Sequence, residues 1–527
     1  MRSRDSAPPQ DTEQSNTTGW TLRQIWMLTV ACCAVALVVA AMAALNTALP
    51  DLARDTGASQ SQLTWIVDGY TLTLAALLLP AGALGDRYGR RGLLMFGLLI
   101  FGLGAAIPIL NDSPEWIIGS RAVAGIGAAF VMPATLSLLT AGFPLSQRGR
   151  AVGIWSGVAG SGAIAGLLVS GLLLEQWSWK AIFVSLAVVS GVLFLTGFTI
   201  ASSRQTDQAP LDVPGTVTIA TAVGLFVLGT IEAPHRGWLD PAVVGLMAGG
   251  VAAAVAFALV ELRREHPLLD VRLFANRAFG SGSMSLLMQF LAILGLFFFA
   301  VQYLQLVLSY SPLESALALA PIAVPVMMLS AGMPFVLPYV GLRPLLSVGA
   351  AILGVGILLM VRLDEYSSYP QVALPLVVAA FGIGLCTAPA TTAIVQNTPD
   401  EKQGVASAVN DTAREIGAAI GVALAGSILA AGYGRHVQPA VDAVPDVAKE
   451  PVSSSLAAAL HVAQSAGPQG EQLASFARKA FLEGMDEASI ALACVCFASA
   501  VVLAVWAPGR KGSSPAPRKD EELADVD

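Results

Sequence analysis

Apolar runs long enough to cross a bilayer recur from about residue 25 to about residue 507, and no other feature constrains the fold of this chain as strongly. In hydrocarbon every backbone N–H and C=O needs a partner within the chain, which leaves helices and closed barrels. These runs are continuous and rich in Leu, Ala, Val and Gly, not short and alternating, so an outer-membrane barrel is excluded. Composition agrees: of 527 residues, 55% are hydrophobic and 12% charged, against roughly a quarter charged in soluble domains.

Breaking the runs at charges, prolines and polar clusters gives fourteen predicted helices. They begin near residues 25, 61, 92, 115, 151, 179, 213, 241, 280, 313, 344, 370, 404 and 487. With the N-terminus inside, inner segments carry 19 of the 29 Lys and Arg residues and short outer loops only four. This asymmetry sets both termini in the cytoplasm, with the chain spanning the cytoplasmic membrane. The organisation expected is a cytoplasmic tail over 1–24, a six-helix bundle over 25–201, a linker with two extra helices over 202–277, a second six-helix bundle over 278–507 and a cytoplasmic tail over 508–527. A long outer segment over about 433–486 alternates Ala and Leu with polar residues, and surface helices are expected there.

Several function classes are excluded on composition. The net charge of -7 provides no basic surface for nucleic acid. All five cysteines fall inside apolar runs and all four histidines outside them, which gives neither a metal site nor a disulfide framework. With no intramembrane histidine and no nucleophile paired to a base, an enzyme is the least favoured class.

The inner loop after the second helix reads Gly82-Ala83-Leu84-Gly85-Asp86-Arg87-Tyr88-Gly89-Arg90-Arg91, with glycines where helices approach and charges where they face water. It resembles the signature loop of the major facilitator superfamily, in the place where that family carries it. Three further segments are similar: Arg121 to Ala129 in helix four, Trp65 to Tyr70 in helix two, and Val405 to Gly417 in helix thirteen. With fourteen helices, the chain resembles the drug/proton antiporter branch and, within it, exporters of quaternary ammonium and other cationic drugs. The resemblance implies an all-α fold of two six-helix bundles plus two central helices. It also implies alternating access, a proton gradient as energy source with no cofactor, and Asp86 set against arginines and a helix N-terminus of the opposite bundle. In two places the chain departs from the pattern. Ala41 stands where the family carries an aspartate nine residues before the proline matching Pro50. In helix five Gly162, Gly166 and Gly171 keep the antiporter spacing, while Leu167 and Ser170 replace a proline and a glycine.

Inside the membrane, Asp68 and Arg121 lie at similar depth, about two turns from the outer surface, with Asn46 close to the same layer and Trp65 beside Asp68. An intramembrane charge is costly and needs a partner, so these residues are expected as a proton-coupling or substrate cluster. Gln302 and Tyr303, beside a run of phenylalanines, are expected to line a drug cavity. A gating latch is assigned to Gly82, Asp86, Arg87, Gly89, Arg90, Asp411, Arg414 and Glu415.

The function expected is export of lipophilic, often cationic, drugs or antibiotics in exchange for protons, by a monomer whose partners are substrate, protons and lipid. With Ala41 in place of a carboxylate, monovalent or neutral substrates are favoured over dications. The alternatives are a proton-independent carrier of an endogenous metabolite and a non-transporting receptor on the same scaffold.

Overall fold

In a computed structural model the described residues are 20–58, 60–201, 212–265, 267–467 and 470–510, and both proposed cytoplasmic tails lie largely outside them. Among the described residues fourteen helices are long and apolar enough to span a membrane. The first six are α1 Leu22–Ala44, α2 Gln60–Tyr88, α3 Arg90–Leu110, α4 Pro114–Gly142, α5 Leu145–Leu174 and α6 Lys180–Gly197. An insert follows, α7 Val213–Arg236 and α8 Pro241–Glu261. The last six are α9 Arg277–Gln302, α10 Pro312–Val340, α11 Leu342–Leu358, α12 Tyr369–Gln396, α13 Gln403–Ala443 and α14 Gly470–Trp506.

Local chemistry sets many of the ends. Thr21 closes a capping box on α1, and Asp212, Asp240 and Asn276 accept N–H bonds as caps of α7, α8 and α9. The α2–α3 turn needs Gly89 at φ +100° and the α10–α11 turn needs Gly341 at φ +87°.

These two turns are related by a shift of eight helices, and so is the packing. In the first bundle α1 packs on α5, α3 on α4, α2 on α4 and α3 on α6; in the second α9 packs on α13, α11 on α12, α10 on α12 and α11 on α14. The close crossings repeat with it. Gly97 and Gly104 of α3 meet Gly127 and Ala124 of α4, as Gly349 and Gly356 of α11 meet Gly382 and Ala379 of α12. The bundles are joined by α2 on α13 and its symmetry counterpart α10 on α5, with α4 on α13 and α12 on α5 beside them. The insert packs through α7 on α2 and α13, leaving most of α8 exposed.

The structure differs from the sequence reading at the last two helices. The fourteenth begins at Gly470, not near residue 487, and α13 runs for 41 residues to Ala443. At 1.5 Å per residue α13 is about 60 Å long, roughly twice a hydrocarbon core. Both helices therefore leave the bilayer and continue as a headpiece, with short helices Asp446–Ser454 and Leu456–Ser465 between them. Tyr433 Oη donates to the Val452 carbonyl at 2.9 Å, and Arg435 pairs with Glu487.

Candidate functional site

At the end of the molecule carrying the α2–α3 turn, here the loop end, Asp86 occupies the last turn of α2. Its carboxylate is held by the first turn of α13: Gly404 N–H donates to Oδ1 at 2.8 Å and Val405 N–H to Oδ2 at 3.1 Å. The first N–H groups of a helix have no partner within it and carry the positive end of its dipole, so a carboxylate is the natural ligand for them. Arg90 Nη2 lies 3.4 Å from Asp86 Oδ1 and donates to the Asp400 carbonyl at 3.2 Å. Arg148 of α5 reaches Asp400 Oδ1 at 2.8 Å. Side chains from α2, α3 and α5 thus clasp one segment, Asp400 to Val405, of the second bundle. Gly82 makes the approach possible, because a side chain there would run into the Gly404 carbonyl. The Arg87 guanidinium lies 5.5 Å from the Tyr88 ring centre.

In the first bundle Arg121 is 2% exposed, yet it does not meet Asp68. Its Nε donates to the Ile66 carbonyl at 3.0 Å and its Nη2 to the Ala41 carbonyl at 3.2 Å, with the guanidinium 4.2 Å from the Tyr70 ring centre. The expected Asp68–Arg121 cluster is therefore corrected. The two share a depth, but residues two apart on a helix differ by about 200° in direction. Ile66 and Tyr70 face Arg121, and Asp68 looks the other way, toward α7, where its electrostatic neighbour is Glu232. Asp68 makes no hydrogen bond or ion pair among the described residues, and Trp65 beside it is half-buried. The side chain of Asn46 lies outside the described residues.

A second polar group sits on α13 at the seam between the bundles. Asp411, Arg414 and Glu415 are 0%, 2% and 4% exposed. Asp411 Oδ1 accepts from Asn410 Nδ2 at 2.9 Å, and Asn410 Oδ1 accepts from Thr391 Oγ1 at 2.8 Å. Arg414 Nη2 lies 3.3 Å from the same hydroxyl, its guanidinium about equally close to the rings of Trp155 at 5.2 Å and Phe290 at 5.1 Å. Trp155 is oriented by its own bond to Thr135 Oγ1, 3.1 Å. Asp411 Oδ2, Glu415 Oε2 and Arg414 Nε are buried without hydrogen-bond partners. This corrects the grouping of the three charged residues with the latch. Asp411 and Glu415 lie seven and eleven residues beyond Gly404, about 10 and 16 Å deeper along the helix, and neither touches Asp86. Sequence reading passed over Trp155 and Thr391. Trp155 carried a signal, since it lies ten residues inside α5, where no membrane-interface anchor belongs.

Gly162 and Gly166 of α5 receive Val39 and the Ala40 backbone of α1, and Gly171 faces Leu313 of α10. Beside them Ser170 Oγ lies 2.8 Å from Thr47 Oγ1, so the replacement of glycine is absorbed as an inter-helix hydrogen bond. Gln302 and Tyr303 do not line a central cavity. They are the last residue of α9 and the one after it, about 38 Å from Arg277 along the helix. There Gln302 Nε2 donates to the Phe298 carbonyl at 3.0 Å and Tyr303 Oη to the Asp364 carbonyl at 2.8 Å, where a π-turn begins that the Leu308 N–H closes on the Tyr303 carbonyl. The mid-helix amide is Gln289, which accepts from Thr387 Oγ1 at 2.9 Å and donates to Ser285 Oγ at 2.8 Å.

A family model described as Major Facilitator Superfamily matches residues 31–422. The multidrug efflux pump LfrA of Mycolicibacterium smegmatis is 33% identical over 484 residues, 90% of this chain and 95% of that protein. The methyl viologen resistance protein SmvA of Salmonella typhimurium is 30% identical over 444 residues, 83% of this chain and 89% of that one. Among solved structures, the proton:xylose symporter XylE superposes with a TM-score of 0.59 at 14% identity, covering 96% of this chain and 99% of that chain.

Proposed function

This chain belongs to the major facilitator superfamily, and we propose that it exports lipophilic, often cationic, drugs or antibiotics across the cytoplasmic membrane in exchange for protons. Similarity to a multidrug efflux pump and to a resistance protein supports export of foreign compounds. The observation that carries proton exchange is Asp68, an acid inside a membrane span with no cationic partner among the described residues. Such a group must be neutralised by a proton or by a bound cation, because an uncompensated charge in hydrocarbon is costly. A lipophilic cation and a proton then exclude one another at Asp68, and alternation of access turns that exclusion into exchange. The Asp411–Arg414–Glu415 group sets two carboxyls against one guanidinium at the seam, with aromatic faces of Trp155 and Phe290 beside it.

In this reading the loop end is cytoplasmic and the clasp around Asp86 closes that side. The seam opens there when the clasp breaks, and both termini stay inside. The protein works as a monomer in the bilayer and needs no cofactor besides the proton gradient. One observation favours a proton-independent carrier instead: Arg121 rests on the main-chain carbonyl of Ala41, so the usual carboxylate partner is absent. Ethidium accumulation in a drug-sensitive bacterium separates the two. Expression lowers accumulation and a protonophore restores it if the protein is an antiporter; a carrier without coupling only speeds equilibration, so expression that speeds ethidium entry without lowering its final level supports the carrier.

A further inference from the structure

The two insert helices have no counterpart in either six-helix bundle, yet their inner ends are built into the latch. Asp212, the cap of α7, and Glu261, the last residue of α8, are 8% and 3% exposed. Each uses one oxygen on the main chain: Gly215 N–H donates to Asp212 Oδ1 at 2.9 Å and Leu269 N–H to Glu261 Oε2 at 3.1 Å. Their remaining oxygens, Asp212 Oδ2 and Glu261 Oε1, are buried without a donor and face one another over Gly215, where no side chain intervenes. Two carboxylate oxygens in contact repel unless a proton lies between them. Among the described residues the single cation on the pair is Arg264, whose Nε is 3.9 Å from Asp212 Oδ2 and whose side chain is half-exposed. Other charges of the surrounding segments are engaged elsewhere: Arg272 on the Leu262 carbonyl, Asp270 on the Arg272 N–H, Lys402 on the Pro267 carbonyl and Asp86 on α13. Arg263, Glu265 and Glu401 are solvent-exposed.

The chain from Glu261 to Leu269 continues directly to the latch. Lys402 Nζ, in the turn that opens α13, donates to the Pro267 carbonyl at 2.6 Å. Leu268 and Leu269 are buried in the same apolar cluster as Val405 and Ala406, whose helix turn holds Asp86. We propose that the insert is a proton-dependent strut on the latch: while Asp212 and Glu261 share a proton, the linker braces the first turn of α13, and loss of that proton releases the brace.

Hydrogen–deuterium exchange of the full-length protein in lipid nanodiscs tests this on the peptide covering Asp400 to Asn410. The comparison is made between native and variant at the same pH, so that the intrinsic chemical rate cancels. At pH 6 the native protein and Glu261→Gln exchange alike. At pH 8.5 the native peptide exchanges about tenfold faster than the variant, whose amide donates to Asp212 at every pH and keeps the brace, a difference equal to one decade in opening. Asp212→Asn, which retains the cap, behaves as Glu261→Gln does. Lys402→Met exchanges faster than native at pH 6, where the brace is in place, and like native at pH 8.5, where it is already released. The proposal is overturned if either carboxylate variant keeps the native pH response, or if Lys402→Met matches native at pH 6, with peptides from α4 reporting an intact fold. No substrate or proton flux enters this readout, so its outcome is separate from that of the export reading.

Discussion

Replacing Asp86 with Asn is the sharpest perturbation of the latch. The native carboxylate accepts two main-chain N–H bonds from α13, 2.8 and 3.1 Å, and carries a charge at that helix's positive end. Asparagine offers one oxygen, so one of the two bonds is lost along with the charge. A hydrogen bond to a charged group contributes about 1.5–3 kcal/mol and a charge at a helix terminus about 0.3–1 kcal/mol. The lower sum is about 2 kcal/mol, which shifts the ratio of closed to open loop end by about thirtyfold. Nitroxide labels at Ser146 and Glu401, both exposed and on opposite sides of the clasp, report that ratio as a distance distribution in a background with the five cysteines replaced. The native background gives one short-distance population, and Asp86→Asn adds a longer one at its expense. Identical distributions would refute the claim that this carboxylate determines closure.

Three other perturbations have outcomes of different size. Arg148→Met removes an ion pair whose side chains are 17% and 44% exposed; such pairs contribute at most about 1 kcal/mol, so the same labels should move less than fivefold, and a shift equal to that of Asp86→Asn would contradict the ranking. Gly166→Val places its Cβ about 2.7 Å from Ala40 Cα. Overpacking of that kind costs about 1–3 kcal/mol, read as a lower thermal midpoint of the purified protein, and an unchanged midpoint would contradict the packing. Ala41→Asp sets a carboxylate beside Arg121, which now bonds the Ala41 carbonyl at 3.2 Å. Transport of methyl viologen, a dication, should rise relative to ethidium, and an unchanged ratio would count against a substrate preference set at residue 41.

The spans were legible because bilayer thickness imposes a length on every apolar run, and the turn around Gly89 because a left-handed residue between charged ends leaves a short pattern. Other features needed coordinates. Hydropathy gives the depth of Asp68 and Arg121 but not their direction, and the 200° between Asp68 and its neighbours Ile66 and Tyr70 separates the pair. Periodicity on α2 carried that information once Arg121 was known to face Ile66. The extra length of α13 and α14 was hidden because a helix leaving the bilayer becomes polar on one side without ending, and a loss of hydropathy reads as a loop. Tyr303 was misplaced for a related reason. Its aromatic neighbours suggest a cavity, whereas its distance along α9 puts it at a corner with Asp364. The contact between Pro267 and Lys402 joins segments 135 residues apart, beyond the reach of any local pattern.

The central claim is exchange of a cation for a proton at Asp68, and its most direct measurement uses purified protein in liposomes with an imposed pH gradient. Ethidium movement and proton flux are recorded together for the native chain and for Asp68→Asn. The account predicts dye movement driven by the gradient with matching proton flux in the native protein, and loss of both in the variant. Dye movement indifferent to the gradient and unchanged by Asp68→Asn would contradict it.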